Sequence, residues 1–109
     1  MNLPLPGAIA AFFEVSNGAD DALLAHCFAQ DAVVRDEGHA HEGQEAIRSW
    51  LREARRQYAY RVEPLALSGQ GAGVTVVARV TGTFPGSPVQ LAHVFRLRGE
   101  RIASLEIRA

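Results

Sequence analysis

The spacing of apolar residues shifts near residue 60 and separates a mostly helical first half from a stranded second half. Ile9, Phe12 and Phe13 share one face at helical spacing. Pro4 and Pro6 stand just before them, where a missing N–H is no loss. Asn17-Gly18 supplies a stop, because either residue takes the left-handed conformation readily. Asp20 can cap a second, short helix with Leu23, Leu24, Cys27 and Phe28 on its buried side. A short strand is expected over 32–36, then a polar loop over 37–43. Ile47, Trp50, Leu51 and Ala54 next define the clearest helix, with Glu45 early and Arg52, Arg55 and Arg56 late, a distribution that complements the helix dipole.

Beyond that helix the period shortens to two. The segments 60–67, 74–84, 89–97 and 102–107 read as strands rich in branched and aromatic residues. Turn chemistry separates them: Gly69-Gln70-Gly71, Pro85-Gly86-Ser87-Pro88 and Gly99-Glu100. Connections this short imply an antiparallel meander. Three helices, each with one apolar stripe, must then cover one face of the sheet. The expectation is a single α+β domain over residues 1–109, helices first and a curved, mostly antiparallel sheet after, enclosing a pocket.

Composition narrows the function classes. Eleven basic against twelve acidic residues leave a formal net charge of -1, with no electrostatic footprint for nucleic acid or an anionic membrane. The single cysteine, Cys27, has no internal partner and fits a reducing cytoplasm. The opening MNLPLPGAIAAFFE lacks a basic n-region and meets Glu14, so it does not read as a signal peptide. No apolar run approaches the ~20 residues that a membrane span needs.

Two stretches carry a family pattern. Phe28-Ala29-Gln30-Asp31-Ala32 runs through to Asp36, and Gly43-Gln44-Glu45-Ala46-Ile47 runs through to Trp50. With the closing LAHVFRLRGERIASLEI, they resemble the nuclear-transport-factor-two-like superfamily, in particular its SnoaL-like cyclase and ketosteroid isomerase branches. The resemblance spans nearly the whole chain. It implies a cone-shaped barrel in which the sheet curls round the long helices over an apolar pocket. For function it implies less, because the superfamily houses isomerases, cyclases, dehydratases and binding modules.

By period two, Val89, Leu91, His93, Phe95 and Leu97 share one strand face, and His93 is the lone polar group among apolar ones. The resemblance carries roles onto single positions. Ketosteroid isomerases use a carboxylate base and two donors to a developing oxyanion. Asp36 matches the base, His93 the protonated acid donor and Phe12 the tyrosine donor. Phenylalanine has no donor to offer, so this chain departs from the family's oxyanion hole at that position. An Asp36/His93 acid–base pair remains, set against the plainer reading of a strand-end carboxylate and a structural histidine. Trp50 is core or a stacking surface for a ligand. Tyr58 or Tyr60 can offer a substitute hydroxyl, and Leu91 and Phe95 belong to the same inward face.

His39 and His41 with Asp36 and Glu37 suit a metal by residue type, yet a polar loop and the lack of a third histidine at helical spacing favour loop polarity or pocket-mouth residues, His41 among them. Neither a metal nor a cofactor is expected. Arg79 is placed on the outer sheet face. Val77, Ala92 and Val94 make that face partly apolar, which suits a symmetric homodimer. The sequence therefore supports two readings. One is a cofactor-free isomerase, cyclase or dehydratase-type lyase acting on a small apolar carbonyl compound. The other is a non-catalytic module binding a small hydrophobic molecule or a protein partner.

Overall fold

In the computed structural model, which describes residues 3–109, Pro6 stands directly before the first helix, α1 (Gly7–Ser16), and Asn17 directly after it. Asp20 caps a 3-10 turn (Asp21–Leu23) by accepting from the Ala22 N–H at 2.9 Å, and the turn runs into a one-turn helix, α2 (Leu24–Cys27). Then come β1 (Phe28–Asp36), β2 (His39–Glu42), α3 (Gln44–Gln57), β3 (Tyr60–Gln70), β4 (Gly73–Gly82), β5 (Val89–Arg98) and β6 (Arg101–Arg108). The six strands form one curved, open sheet in the order β2-β1-β6-β5-β4-β3. All neighbours are antiparallel except β1 and β6, which run parallel. The expected meander is thus β3 to β6, and α3 carries the chain from one sheet edge to the other.

Two segments differ from expectation. The supposed polar loop over 37–43 is mostly strand: β1 and β2 form a hairpin with Asp36 opposite His39. Its two turn residues, Glu37 and Gly38, have φ of 53° and 78°, the positive pair that a tight hairpin demands. The β2 sequence shows no apolar alternation because an edge strand, exposed along most of its length, needs none. Phe28, assigned to the second helix by its spacing, instead opens β1. Gln44 closes the helix end by donating to the carbonyls of Phe28 at 2.8 Å and Ala25 at 3.2 Å. The Phe28 ring then packs edge-on against Phe12, centroids 5.8 Å apart. Leu23, expected on a buried face, is 39% exposed.

Helix α3 packs as its pattern dictates, with Ile47 and Leu51 buried and Arg52, Glu53 and Arg56 exposed. Each of those two apolar side chains contributes roughly 1.5–3 kcal/mol. Arg55 Nη1 donates to the Val15 carbonyl at 2.6 Å, tying α3 to the end of α1. Asp21 pairs with Arg48 at 2.9 Å and with Arg52. Asn17 reaches across to β3, donating to the Val62 carbonyl at 2.8 Å and accepting the Val62 N–H at 2.7 Å.

Sheet parity follows period two. Val74, Val76 and Ala78 face the helices, and Arg79 lies outside, paired with Glu63 on β3 at 3.3 Å. The fully buried centre joins Ile9, Phe12, Phe28, Ile47, Val76, Phe95, Ile102 and Leu105.

Candidate active site

The core fills only one end of the concave sheet. At the other end α1, α3 and the strand termini diverge and leave a cavity of about 450 Å³, within the range of small-molecule sites. Helices α1 and α3, five strands and the β4–β5 loop build its wall, with Val80 as the contribution of β4. Phe12 and Ser16 come from α1, Trp50, Leu51 and Ala54 from α3, and Tyr60 and Val62 from β3. Leu91 and His93 come from β5, Ile107 from β6, and Phe84 and Pro85 from the β4–β5 loop; Asp36, at the end of β1, and Glu37 complete the rim. Tyr58 joins them just after α3, its ring edge-on to Phe84 with centroids 5.9 Å apart. Gly82 lets β4 pass close under this rim, since a Cβ there would meet the Tyr60 Cβ at 2.7 Å.

Asp36 ends β1 half-buried, and its Oδ2 accepts the Trp50 indole N–H at 3.2 Å. Trp50 is held in turn by Phe12, whose ring lies parallel to it within 2° at a centroid distance of 6.4 Å. Burial pushes the Asp36 carboxyl above its ordinary range. The Trp50 hydrogen bond opposes that shift, the Glu37 charge adds to it, and His41 and His39 oppose it weakly. Burial likewise raises the Tyr60 phenol, with Arg55 opposing and Asp36 adding. Tyr60 is therefore a neutral hydroxyl donor at physiological pH.

His93 is only 4% exposed and packs against Phe13, with centroids 5.2 Å apart. Its Nδ1 is buried without a hydrogen-bond partner. Burial pulls its pKa down to about 4, and the nearby Leu91 and Val76 carbonyls counter this only in part. The imidazole is therefore neutral at pH 7. Arg35 is registered with Glu106 and His93 with Ile107, so Ile107 stands between Asp36 and His93 on the strand that separates them. Two strand spacings put their backbones roughly 10 Å apart. They line one cavity on either side of Ile107 and do not form a contact dyad. Neither shift is opposed by the other group: the partner of Asp36 is Trp50.

Of the residues singled out from the sequence, Asp36, His93, Phe12, Trp50, Tyr58, Tyr60 and Leu91 all line the cavity. Phe95 does not. It lies one strand period below His93, is fully buried, and belongs to the sealed core between Phe12 and Phe13. His41 does not line the cavity either: it sits on β2 beside Trp50, ring centroids 5.8 Å apart. Among the described residues no three His, Cys, Asp or Glu side chains are grouped as metal ligands. Sequence reasoning missed Ser16, one helical turn beyond Phe12 and polar on an apolar stripe, a spacing that would have found it. It also missed Phe84 and Ile107, which only the loop and the sheet curvature bring in, and it set Glu37 in a polar loop rather than in the hairpin turn that carries it to the rim. The chain contains no lysine, so Schiff-base chemistry on a lysine is not available to it.

A curved sheet wrapped over helices, with an acid and a neutral imidazole facing one cavity, defines a cone-like α+β pocket protein of the cyclase and isomerase type of fold. The chain belongs to the SnoaL-like domain family, whose profile matches residues 9–105. A proposed polyketide cyclase from Sinorhizobium meliloti is 41% identical over 95% of both chains, with a TM-score of 0.91. A Catenulispora acidiphila protein of ketosteroid isomerase-like fold, solved in complex with trimethylamine, is 25% identical over 95% of this chain and 85% of its own, with a TM-score of 0.82. A cystatin-fold protein from Novosphingobium aromaticivorans shares the fold, at 22% identity over 94% of this chain and 95% of its own, with a TM-score of 0.78. No curated protein is significantly similar in sequence.

Proposed function

We propose that the protein is a cofactor-free enzyme of the isomerase, cyclase or dehydratase kind, moving a proton on a small, mostly apolar carbonyl compound held in the cavity. The observation that carries this reading is Asp36: a half-buried carboxylate with a raised pKa, fixed by one indole hydrogen bond at a mostly aromatic and aliphatic cavity wall. A desolvated carboxylate is the stronger base, and the Trp50 bond fixes its direction. Asp36 takes the proton next to the substrate carbonyl. His93, neutral at pH 7, serves the developing oxyanion as a hydrogen-bond donor rather than as a charged acid. The Tyr60 hydroxyl supplies the donor that Phe12 lacks.

The test begins with a thermal-shift screen of small ketones, aromatic acids and polyketide-like rings, followed by Asp36→Asn on whatever compound turns over. The variant should lose at least ~100-fold in kcat and keep ligand affinity within a few-fold. Full activity in Asp36→Asn sinks the assignment. One observation favours a second reading, a binding module: the inner end of the cavity is closed by Phe12, which polarises nothing. Ligand binding without turnover of any hit would select that reading.

The partner and compartment readings belong here too. The outer sheet face pairs Val77 with Ala92 and Thr75 with Val94 across β4 and β5, a strip suited to a second copy of the chain. A monomeric mass in solution at micromolar concentration would refute the dimer. Cys27, alone and buried, supports a cytoplasmic location.

A further inference from the structure

The cavity has a one-sided charge layout. All eleven cationic side chains of the chain are arginines, and none lines it. Several are engaged elsewhere: Arg48 and Arg52 with Asp21, Arg55 with the Val15 carbonyl, Arg79 with Glu63, and Arg98 with Asp31. The basic side chain that does reach the cavity, His93, is uncharged at neutral pH. Two carboxylates do line it, Asp36 within and Glu37 at the rim, together with the rings of Tyr58, Tyr60 and Phe84.

Glu37 is also the one non-glycine residue with positive φ, 53°, among the described residues. A long side chain in that region is uncommon. Asparagine would fit the turn better, so local backbone preference does not explain the glutamate. Its charge stands close enough to Asp36 to raise the cost of charging that carboxyl. Two carboxylates at an aromatic wall whose lining contains no arginine match a ligand that brings the positive charge itself. Aromatic faces hold alkylated ammonium groups well, because such ions are weakly hydrated and the ring faces are electronegative.

We infer that the ligand of this cavity carries an organic cation, a tertiary or quaternary alkylammonium group, seated between Glu37, Asp36 and the rings of Tyr58, Tyr60 and Phe84. The inference rests on the cavity being the ligand site and narrows the substrate class. It does not depend on a proton being moved there.

The experiment is an equilibrium titration of the intact chain with three probes of one shape: choline, its neutral isostere 3,3-dimethylbutan-1-ol, and the anion 3,3-dimethylbutanoate. Fluorescence of Trp50, the single tryptophan, reports binding. Choline should bind about tenfold more tightly than the neutral isostere, and the anion should bind most weakly. Glu37→Asn removes the charge at a position where asparagine accepts positive φ. It should erase most of the choline preference while leaving the melting temperature equal or higher. Equal affinities for choline and its isostere, or a preference for the anion, overturn the inference. So does an undiminished choline preference in Glu37→Asn. No turnover enters this measurement. A choline preference alongside an active Asp36→Asn enzyme would leave the inference standing and refute the proton-transfer reading.

Discussion

Strand β5 passes through two different environments, and the contrast between them explains most of the molecule. At Phe95 it is sealed: the ring is fully buried against Phe12 and Phe13, with Ile102 and Leu105 of β6 and Ile9 of α1 completing the same core. At Leu91, four residues earlier on the same face, the side chain is half-buried and borders the cavity. His93 marks the boundary. The sealed half has no polar side chain to satisfy and owes its order to packing. The open half gives up packing and keeps Asp36, Tyr60 and His93 in partly desolvated surroundings, where their chemistry departs from that of groups in water.

Truncations along the strand give the largest test of that contrast. Phe95→Ala should cost about 3–5 kcal/mol, because a sealed core cannot collapse onto the void. Leu91→Ala should cost about 1 kcal/mol, since it enlarges a space that already exists. Chemical denaturation of the two variants measures both, and equal losses would erase the distinction between the halves.

Acid sensitivity comes next. The unfolded chain protonates His93 near 6.5, whereas the folded chain resists until about 4. Stability from this group is whole above pH 6.5 and declines as pH falls toward 4, by up to about 3 kcal/mol. Asp36 works in the opposite sense. Its folded pKa is raised above 3.8, so the folded state takes up a proton first as pH falls and offsets part of the loss. In His93→Leu the decline between pH 6.5 and 4 should flatten. At pH 7 that variant should be about 1 kcal/mol more stable, through loss of an unpartnered buried nitrogen. An unchanged acid limb in urea melts at several pH values would acquit His93.

The smallest effect tests the wiring of the open half. Trp50→Phe removes the hydrogen bond that favours the Asp36 carboxylate, so the acid limb of a kcat/KM profile should move to higher pH. A limb that stays in place, or moves down, would show that the indole N–H does not govern the base.

The same division governs what could be read from sequence. Ile9, Phe12, Ile47, Leu51 and Phe95 obey the period of their element, and the sealed core was legible from them. Asp36 and His93 stood out as polar residues against that pattern and both reached the cavity, although Phe95, on the same strand face, was buried too deeply to line it. Hairpin β1–β2 was illegible because an exposed edge strand carries no apolar alternation. The rim was illegible for a different reason: Glu37, Phe84 and Ile107 meet only through a turn, a loop and the curvature of a sheet, none of which leaves a period. His41 failed as a rim residue because the hairpin places it on β2, beside Trp50.

The Asn17 clamp has a consequence for the chain in a crowded solution. An open sheet has two free borders, and a row of unpaired N–H and C=O groups is a template on which a stranger's strand can polymerise. β2 limits that hazard by being four residues long and polar. β3 is eleven residues long and would be the inviting border. At Val62 the Asn17 carboxamide already occupies both main-chain groups, imitating the next strand with a single side chain. Two residues on, Pro64 offers no N–H at all, and the register slips between Pro64 and Ala66. Asn17 thus leaves that stretch of the β3 border with fewer free main-chain groups for a foreign strand, an effect separate from anything the cavity does.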